Sequence, residues 1–122
     1  MERDDYPRRQ KLLDQESREK LPELCDTEDE RLDAKALVKF FSPDRDLVWY
    51  AAEFDGEDLF YGLVVGREIQ VGYFSLSELE KAKDALDLNI ERDLDYKPQS
   101  LQELMEFHRR ARAGKGDAGN EI

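Results

Sequence analysis

One cysteine, Cys25, and one histidine, His108, are all that the 122 residues offer of these two reactive side chains. A lone cysteine leaves no internal disulfide framework and no cysteine-based zinc site. A lone histidine confines nucleophilic catalysis to arrangements built around His108, which would need a nucleophile beside it and a group to orient it. Its neighbours are Arg109 and Arg110 near the end of an expected helix, so the reading is a partly exposed helical histidine away from the aromatic core. Cys25 stands in Glu23-Leu-Cys-Asp-Thr-Glu, where carboxylates disfavour a thiolate, and is read as a small, partly buried hydrophobe.

Long apolar runs are also missing. No stretch approaches the ~18 residues of a membrane-spanning helix, and Met1-Glu-Arg-Asp-Asp-Tyr-Pro lacks the apolar centre of a secretion signal. The expectation is a cytoplasmic protein with no membrane partner. No GxxxxGK[ST] and no strand-GxGxxG-helix pattern occurs, so Gly62, Gly66 and Gly72 are read as bulges or close backbone approaches instead of a phosphate cradle. No cofactor, metal or catalytic residue is assigned.

Positive charge is in deficit: 30 acidic residues stand against 19 basic ones, for a net charge of −11. Between Phe41 and Tyr96 the count is fourteen acidic to five basic, a net of −9. Such a surface repels nucleic-acid phosphates and anionic lipid, both of which need Lys and Arg for neutralisation. It favours basic partners and speeds their encounter, and it also keeps a small protein soluble.

What is present is an apolar centre. Hydrophobic residues make up 39% of the chain and charged ones 40%, a wet balance, yet most aromatics fall between Phe40 and Phe74. That stretch is expected to close the core and the two ends are not. Ala36-Leu-Val-Lys-Phe-Phe, Leu47-Val-Trp-Tyr-Ala-Ala-Glu-Phe, Leu59-Phe-Tyr-Gly-Leu-Val-Val and Val71-Gly-Tyr-Phe-Ser read as strands separated by polar turns. The fold class expected is α+β, an antiparallel four-stranded meander. A helix over about 76–86 follows the last strand, with Leu76, Leu79, Ala82 and Leu86 as its stripe and Ser75/Glu78 or Ser77/Glu80 as its capping box. Residues 88–96 read as a short extended edge segment. A C-terminal helix opens on the box Ser100-Leu-Gln-Glu and runs to about Arg112, before Gly114, Gly116 and Gly119 end order. The spacing Leu13, Ser17, Leu21, Leu24 suits a short N-terminal helical piece broken near Pro22. The domain organisation is thus a charged segment 1–20, partly mobile or helical, one domain over 21–113, and a flexible tail over 114–122.

The strings Lys39-Phe-Phe-Ser-Pro-Asp, Trp49-Tyr-Ala, Glu53-Phe-Asp-Gly-Glu-Asp, Phe60-Tyr-Gly-Leu-Val-Val-Gly, Gly72-Tyr-Phe-Ser-Leu-Ser-Glu-Leu-Glu and Leu88-Asn-Ile-Glu-Arg-Asp-Leu carry a resemblance. Over roughly residues 20–107 the chain resembles the bacterial proteins grouped as domain-of-unknown-function family 2958. The resemblance implies a habitat on plasmids, integrative elements and phages, and it carries no activity, catalytic residue or cofactor.

Two constellations remain. The carboxylates Glu53, Asp55, Glu57 and Asp58 crowd one turn and could in principle offer oxygen ligands to a hard cation, although their spacing is not that of an EF-hand loop; solvated charge on a hairpin is the plainer account. Paired acids for glycoside hydrolysis have no support in the spacing. The aromatic pairs Trp49-Tyr50, Phe60-Tyr61 and Tyr73-Phe74 put one ring on each sheet face, because strand neighbours point to opposite sides. If helices cover only one face, the other carries an exposed strip containing Trp49 or Tyr61, a docking surface; if both are covered, no strip exists. The functional expectation is therefore a non-enzymatic, acidic protein-binding module, an accessory of a mobile element with a protein partner and no direct contact with nucleic acid. Its candidate contact residues are Asp44, Asp46, Glu53, Asp55, Glu57, Asp58, Glu91, Asp93, Asp95, Trp49 and Tyr61. One form is a DNA mimic whose carboxylates engage a host DNA-binding or defence protein; the alternatives are a regulatory or assembly subunit in plasmid maintenance or transfer, and a metal-dependent enzyme using Glu53, Asp55, Glu57 and Asp58.

Overall fold

Adjacent apolar residues, rather than apolar–polar alternation, fill the central strands, and a strand of that kind needs cover on both faces. The computed structural model describes residues 12–120, with side chains over 12–114. Residues 1–11, the part of the N-terminal segment read as mobile, lie outside the described residues, as do 121–122 and the side chains of the expected tail from residue 115.

The chain orders as α1 (Gln15–Lys20), a 3-10 segment (Glu28–Asp33), β1 (Lys35–Ala36), β2 (Val38–Phe41), β3 (Val48–Phe54), β4 (Leu59–Val65), β5 (Ile69–Ser75), α2 (Leu76–Lys81), β6 (Glu91–Arg92), β7 (Gln99–Ser100) and α3 (Leu101–Asn120). The fold is α+β. Its sheet is antiparallel in the order β5-β4-β3-β2-β6, so the four-strand meander is present and β6, from the expected edge segment, adds a fifth strand. β1 and β7 form a separate two-stranded ladder, Lys35 opposite Ser100 and Ala36 opposite Gln99.

Helices cover both faces. On one, Phe40, Phe60 and Phe74 pack with Leu12, Leu13 and Leu21 and with Leu76 and Leu79 of α2. On the other, Tyr50, Ala52, Leu63 and Val65 pack with Leu101, Leu104 and Met105 of α3. Both ends of the chain therefore supply core, contrary to the expectation that the middle alone would close it. Neither end has enough apolar residues for a core of its own, but each needs only one stripe once the sheet provides the opposing surface. Leu12 and Leu13 belong to the core although they precede the boundary read at residue 21. Phe60 is the centre of the first cluster, with ring centroids 4.6 Å from Phe54, 5.1 Å from Phe74 and 5.5 Å from Phe40.

The helix ends follow their caps. Asp14 caps α1 by accepting from Ser17 N–H, and the helix stops at Leu21 before Pro22. Ser75 caps α2, and Ser100 and Glu103 cap α3 reciprocally, each backbone N–H donating to the other's side chain. α2 is shorter than the stripe to Leu86 suggested. Beyond Ala82 the Asp84 carboxylate accepts from Leu86 and Leu88 N–H, so a side chain competes with the helical ladder and Leu86 is left 63% exposed. α3, expected to stop at Arg112, continues across its glycines to Asn120; glycine weakens a helix interior without forbidding its backbone angles.

Candidate functional site

A break in register builds the site. Along β3 the side chains alternate between faces until Ala51, which pairs with Gly62; Glu53 then pairs with Tyr61, leaving Ala52 as an extra residue. Such a bulge reverses the alternation, because strand faces repeat with period two. Phe54 consequently turns into the Phe60 cluster, and Glu53 turns to the α3 face beside Tyr61. Opposite the bulge the backbones crowd so closely that a Cβ on Gly62 would lie 1.8 Å from the Tyr50 carbonyl oxygen. Gly62 is thus the close approach that its place in a strand suggested.

Glu53 is only 4% exposed. Its Oε1 accepts from Cys25 N–H at 2.7 Å; its Oε2 accepts from Thr27 N–H at 3.0 Å and from the Thr27 hydroxyl. A buried carboxylate needs such donors, and here it pins the loop before the 3-10 segment onto the sheet. The loop and sheet enclose a cleft of about 700 Å³ lined by Cys25, Thr27, Glu28, Asp29, Arg31, Leu32, Glu53, Tyr61 and Tyr73. Tyr61 and Tyr73 stand opposite one another on β4 and β5 with ring centroids 5.2 Å apart, and Tyr73 is 60% exposed. Burial, then the Glu53 and Tyr73 charges, hold the Tyr61 hydroxyl above its ordinary pKa, so it enters the cleft as a neutral donor. Cys25 and Arg31 adopt left-handed backbone angles, φ 73° and 52°, which costs free energy in residues other than glycine and marks a loop held by its surroundings.

A family model described as "Protein of unknown function (DUF2958)" matches residues 10–116. The chain belongs to that family. No curated protein and no solved structure matches the chain. The DUF2958 match includes every residue that lines the cleft and both helical layers that cover the sheet.

The other carboxylates singled out in sequence do not gather there. Asp55 Oδ1 accepts from Glu57, Asp58 and Leu59 N–H, closing its own turn. Asp58 accepts from the Ser75 hydroxyl at 2.6 Å and from Ser77 N–H at 2.7 Å, tying that turn to the start of α2. These bonds hold both carboxyls below the usual range: for Asp55 the Leu59 N–H contributes most, for Asp58 the Ser75 hydroxyl. Glu57 is exposed. Asp44 and Asp46 lie at the opposite end of β3, roughly 20 Å away by strand rise. There Asp44 accepts from Ser42, Asp46 and Ala85, and its N–H donates to Asp84. Glu91 and Asp95 are exposed beyond β2, and Asp93 pairs with Lys39 at 3.5 Å. Among the described residues no three His, Cys, Asp or Glu side chains converge as metal ligands. No helix among them is long and apolar enough to cross a membrane.

Of the two arrangements open to the aromatic pairs, the structure has the one with both faces covered: Trp49 packs against the Phe60 cluster and Tyr61 against the α3 cluster, each partly buried. Two single-residue readings are corrected. Cys25 is exposed, because its backbone and not its side chain is what Glu53 holds. His108 is not remote from the aromatics. Its Nε2 lies 2.7 Å from the Tyr50 hydroxyl, and the Tyr96 ring also packs against Tyr50, centroids 5.7 Å apart. Burial, reinforced by Lys39 and Arg112, holds the His108 pKa below its ordinary value, so the imidazole is a neutral anchor for α3. Burial also raises the Tyr50 hydroxyl and pushes that of Tyr96 up to about 12.

Glu28, Asp29, Arg31 and Tyr73 were missed as a group, since nothing in the spacing joins an acidic connector to the fifth strand. Glu53 carried one signal: it is the only charged residue in an otherwise apolar strand.

Proposed function

We propose that the chain is a non-enzymatic protein-binding module that receives a basic partner at the Tyr61–Tyr73 cleft. The observation that supports this reading is the cleft's composition: an exposed tyrosine beside a half-buried one, with Glu28, Asp29 and Glu53 against one cation, Arg31, among the described lining residues. Tyrosine offers a large, stiff contact area with a polar tip, and carboxylates at the rim select and steer a basic surface. The site residues proposed are Glu28, Asp29, Glu53, Tyr61 and Tyr73. Of the remaining carboxylates, Asp44, Asp55 and Asp58 are engaged in turns and at a helix start, and the group is split between opposite ends of the sheet, so the reading rests on the cleft and not on a row of charges imitating a nucleic-acid backbone.

The test is affinity capture on the immobilised full chain at ~50 and ~300 mM salt, beside Tyr73→Ser and Asp29→Arg variants. A protein retained at low salt by the parent and lost by both variants supports the reading. One retained equally by both variants places the contact elsewhere and overturns it.

A further inference from the structure

The two edges of the sheet are built differently. At one edge β6 has two residues, both charged, Glu91 and Arg92. Short length and charge are how proteins prevent an edge from pairing with foreign strands. At the other edge β5 is seven residues long, Ile-Gln-Val-Gly-Tyr-Phe-Ser, with no charge and no proline.

The ladder fixes which β5 groups point outward. Gly66 N–H donates to Glu68 C=O, and Leu76 N–H donates to Asp58 C=O, at the two ends of the β4–β5 pairing. In an antiparallel ladder these bonds make Val65–Ile69 and Leu59–Ser75 non-hydrogen-bonded pairs. By alternation Gln70, Gly72 and Phe74 bond to β4, whereas Ile69, Val71 and Tyr73 turn N–H and C=O away from it. Among the described residues these outward groups have no hydrogen-bond partner.

Tyr73 is both an outward-bonding residue of this edge and a wall of the cleft. A strand laid along β5 would place the residue opposite Tyr73 on the same face, its Cα ~5.5 Å away. That side chain would pass over the Tyr73 ring toward Tyr61 and the carboxylates, a setting for a cation held by ring faces and charge. The Ser75 end of β5 also lies beside the turn carrying Asp55, Glu57 and Asp58.

We propose that β5 takes up an extended, basic segment of the protein partner as a sixth strand, with a lysine or arginine opposite Tyr73 seated in the cleft. This rests on the cleft reading above and adds the mode of recognition, strand addition, and the side chain recognised. Charge complementarity selects a basic partner over a second copy, which would bring another net charge of −11 to the same edge.

The experiment titrates the full isotope-labelled chain with three nine-residue peptides of alternating threonine and valine. One has a central arginine, one a central glutamate, and one the central arginine with N-methyl groups on alternate backbone nitrogens. The arginine peptide is expected to slow exchange of the Ile69, Val71 and Tyr73 amides and to shift the Tyr61 ring, with the glutamate peptide at least tenfold weaker. The N-methylated peptide is expected to lose both effects. Val71→Pro removes an outward N–H and no ladder bond, at the cost of trimming a partly buried side chain, and is expected to weaken the arginine peptide at least tenfold, with the β4–β5 ladder intact by amide exchange. If the N-methylated peptide binds equally well at Tyr61 and Tyr73, strand addition is overturned and the cleft reading stands. If the glutamate peptide binds β5 as tightly as the arginine one, the edge stands and the cationic specificity is overturned. No effect of any peptide on β5 or the cleft at millimolar concentration overturns both readings. A parent chain that sediments as a dimer, and as a monomer with Val71→Pro, assigns the edge to a second copy and overturns the proposal.

Discussion

Replacing Glu53 with glutamine keeps its shape and changes only what it can accept. The carboxylate takes one hydrogen bond at Oε1 and two at Oε2. An amide has one oxygen, and that oxygen is best placed toward Thr27, where two donors converge. The NH₂ group then faces Cys25 N–H, donor against donor. Losing a hydrogen bond to a charged acceptor costs ~1.5–3 kcal/mol, and the two that remain weaken to ordinary neutral bonds. Water can reach the loop from the cleft and relieves part of this, so Glu53→Gln is expected to destabilise the fold by about 2–3 kcal/mol. That is a substantial part of the 5–15 kcal/mol typical of a domain. Urea unfolding followed by Trp49 fluorescence reads the loss as a lower midpoint with an unchanged slope. Hydrogen exchange should show the Cys25 and Thr27 amides deprotected before the strands. A variant within about 0.5 kcal/mol of the parent, with those two amides unchanged, would refute the assignment of Glu53 as the tie between loop and sheet.

Phe60→Ala removes a fully buried ring with three aromatic neighbours and is expected to cost ~3–5 kcal/mol in the same urea assay. Gly62→Ala is expected to cost more than ~3 kcal/mol or prevent folding, because its Cβ meets backbone and not a movable side chain, whereas Gly72→Ala has open space around it. Ser75→Ala removes the cap of α2 and is expected to cost ~1 kcal/mol by thermal melting. Stability should change with pH in two steps. His108 has a folded pKa below 6.5, so its contribution is complete above that value and falls as pH drops toward the folded pKa. Asp55 and Asp58 have folded pKa values below 3.8, so theirs is complete above 3.8 and lost as pH falls further. His108→Gln should flatten the first step alone, measured by urea midpoints from pH 3 to 8.

The sheet was legible because its information is local. Strand composition, the turns at Ser42-Pro43-Asp44 and Asp55-Gly56, and the boxes at Ser75 and Ser100 each act over a few residues. The length of α2 was not legible, since the contest between the helix and the Asp84 side chain is decided partly by Asp44, forty residues earlier. The aromatic pairs correctly implied two apolar faces. Which face the leucines near the N-terminus would cover depended on Arg92, whose guanidinium reaches Leu12 C=O and Asp14 across 80 and 78 positions. The cleft was the least legible part. It joins the loop near Cys25 to β5 through Glu53, a residue that looked like one more solvated charge in an acidic turn.

The extra residue at Ala52 lets β3 carry one residue more than its partner strand opposes. Flattened with the same residues, the strand would pair Ala52 with Tyr61 and Glu53 with Phe60, delivering a carboxyl group to the phenylalanine layer and a benzyl group to the polar opening. Deleting Ala52 instead closes the bulge while Glu53 stays opposite Tyr61 and Phe54 opposite Phe60, so both side chains keep their faces. Homologous chains should therefore show this position as the place in β3 where one residue can be lost without exchanging the two environments.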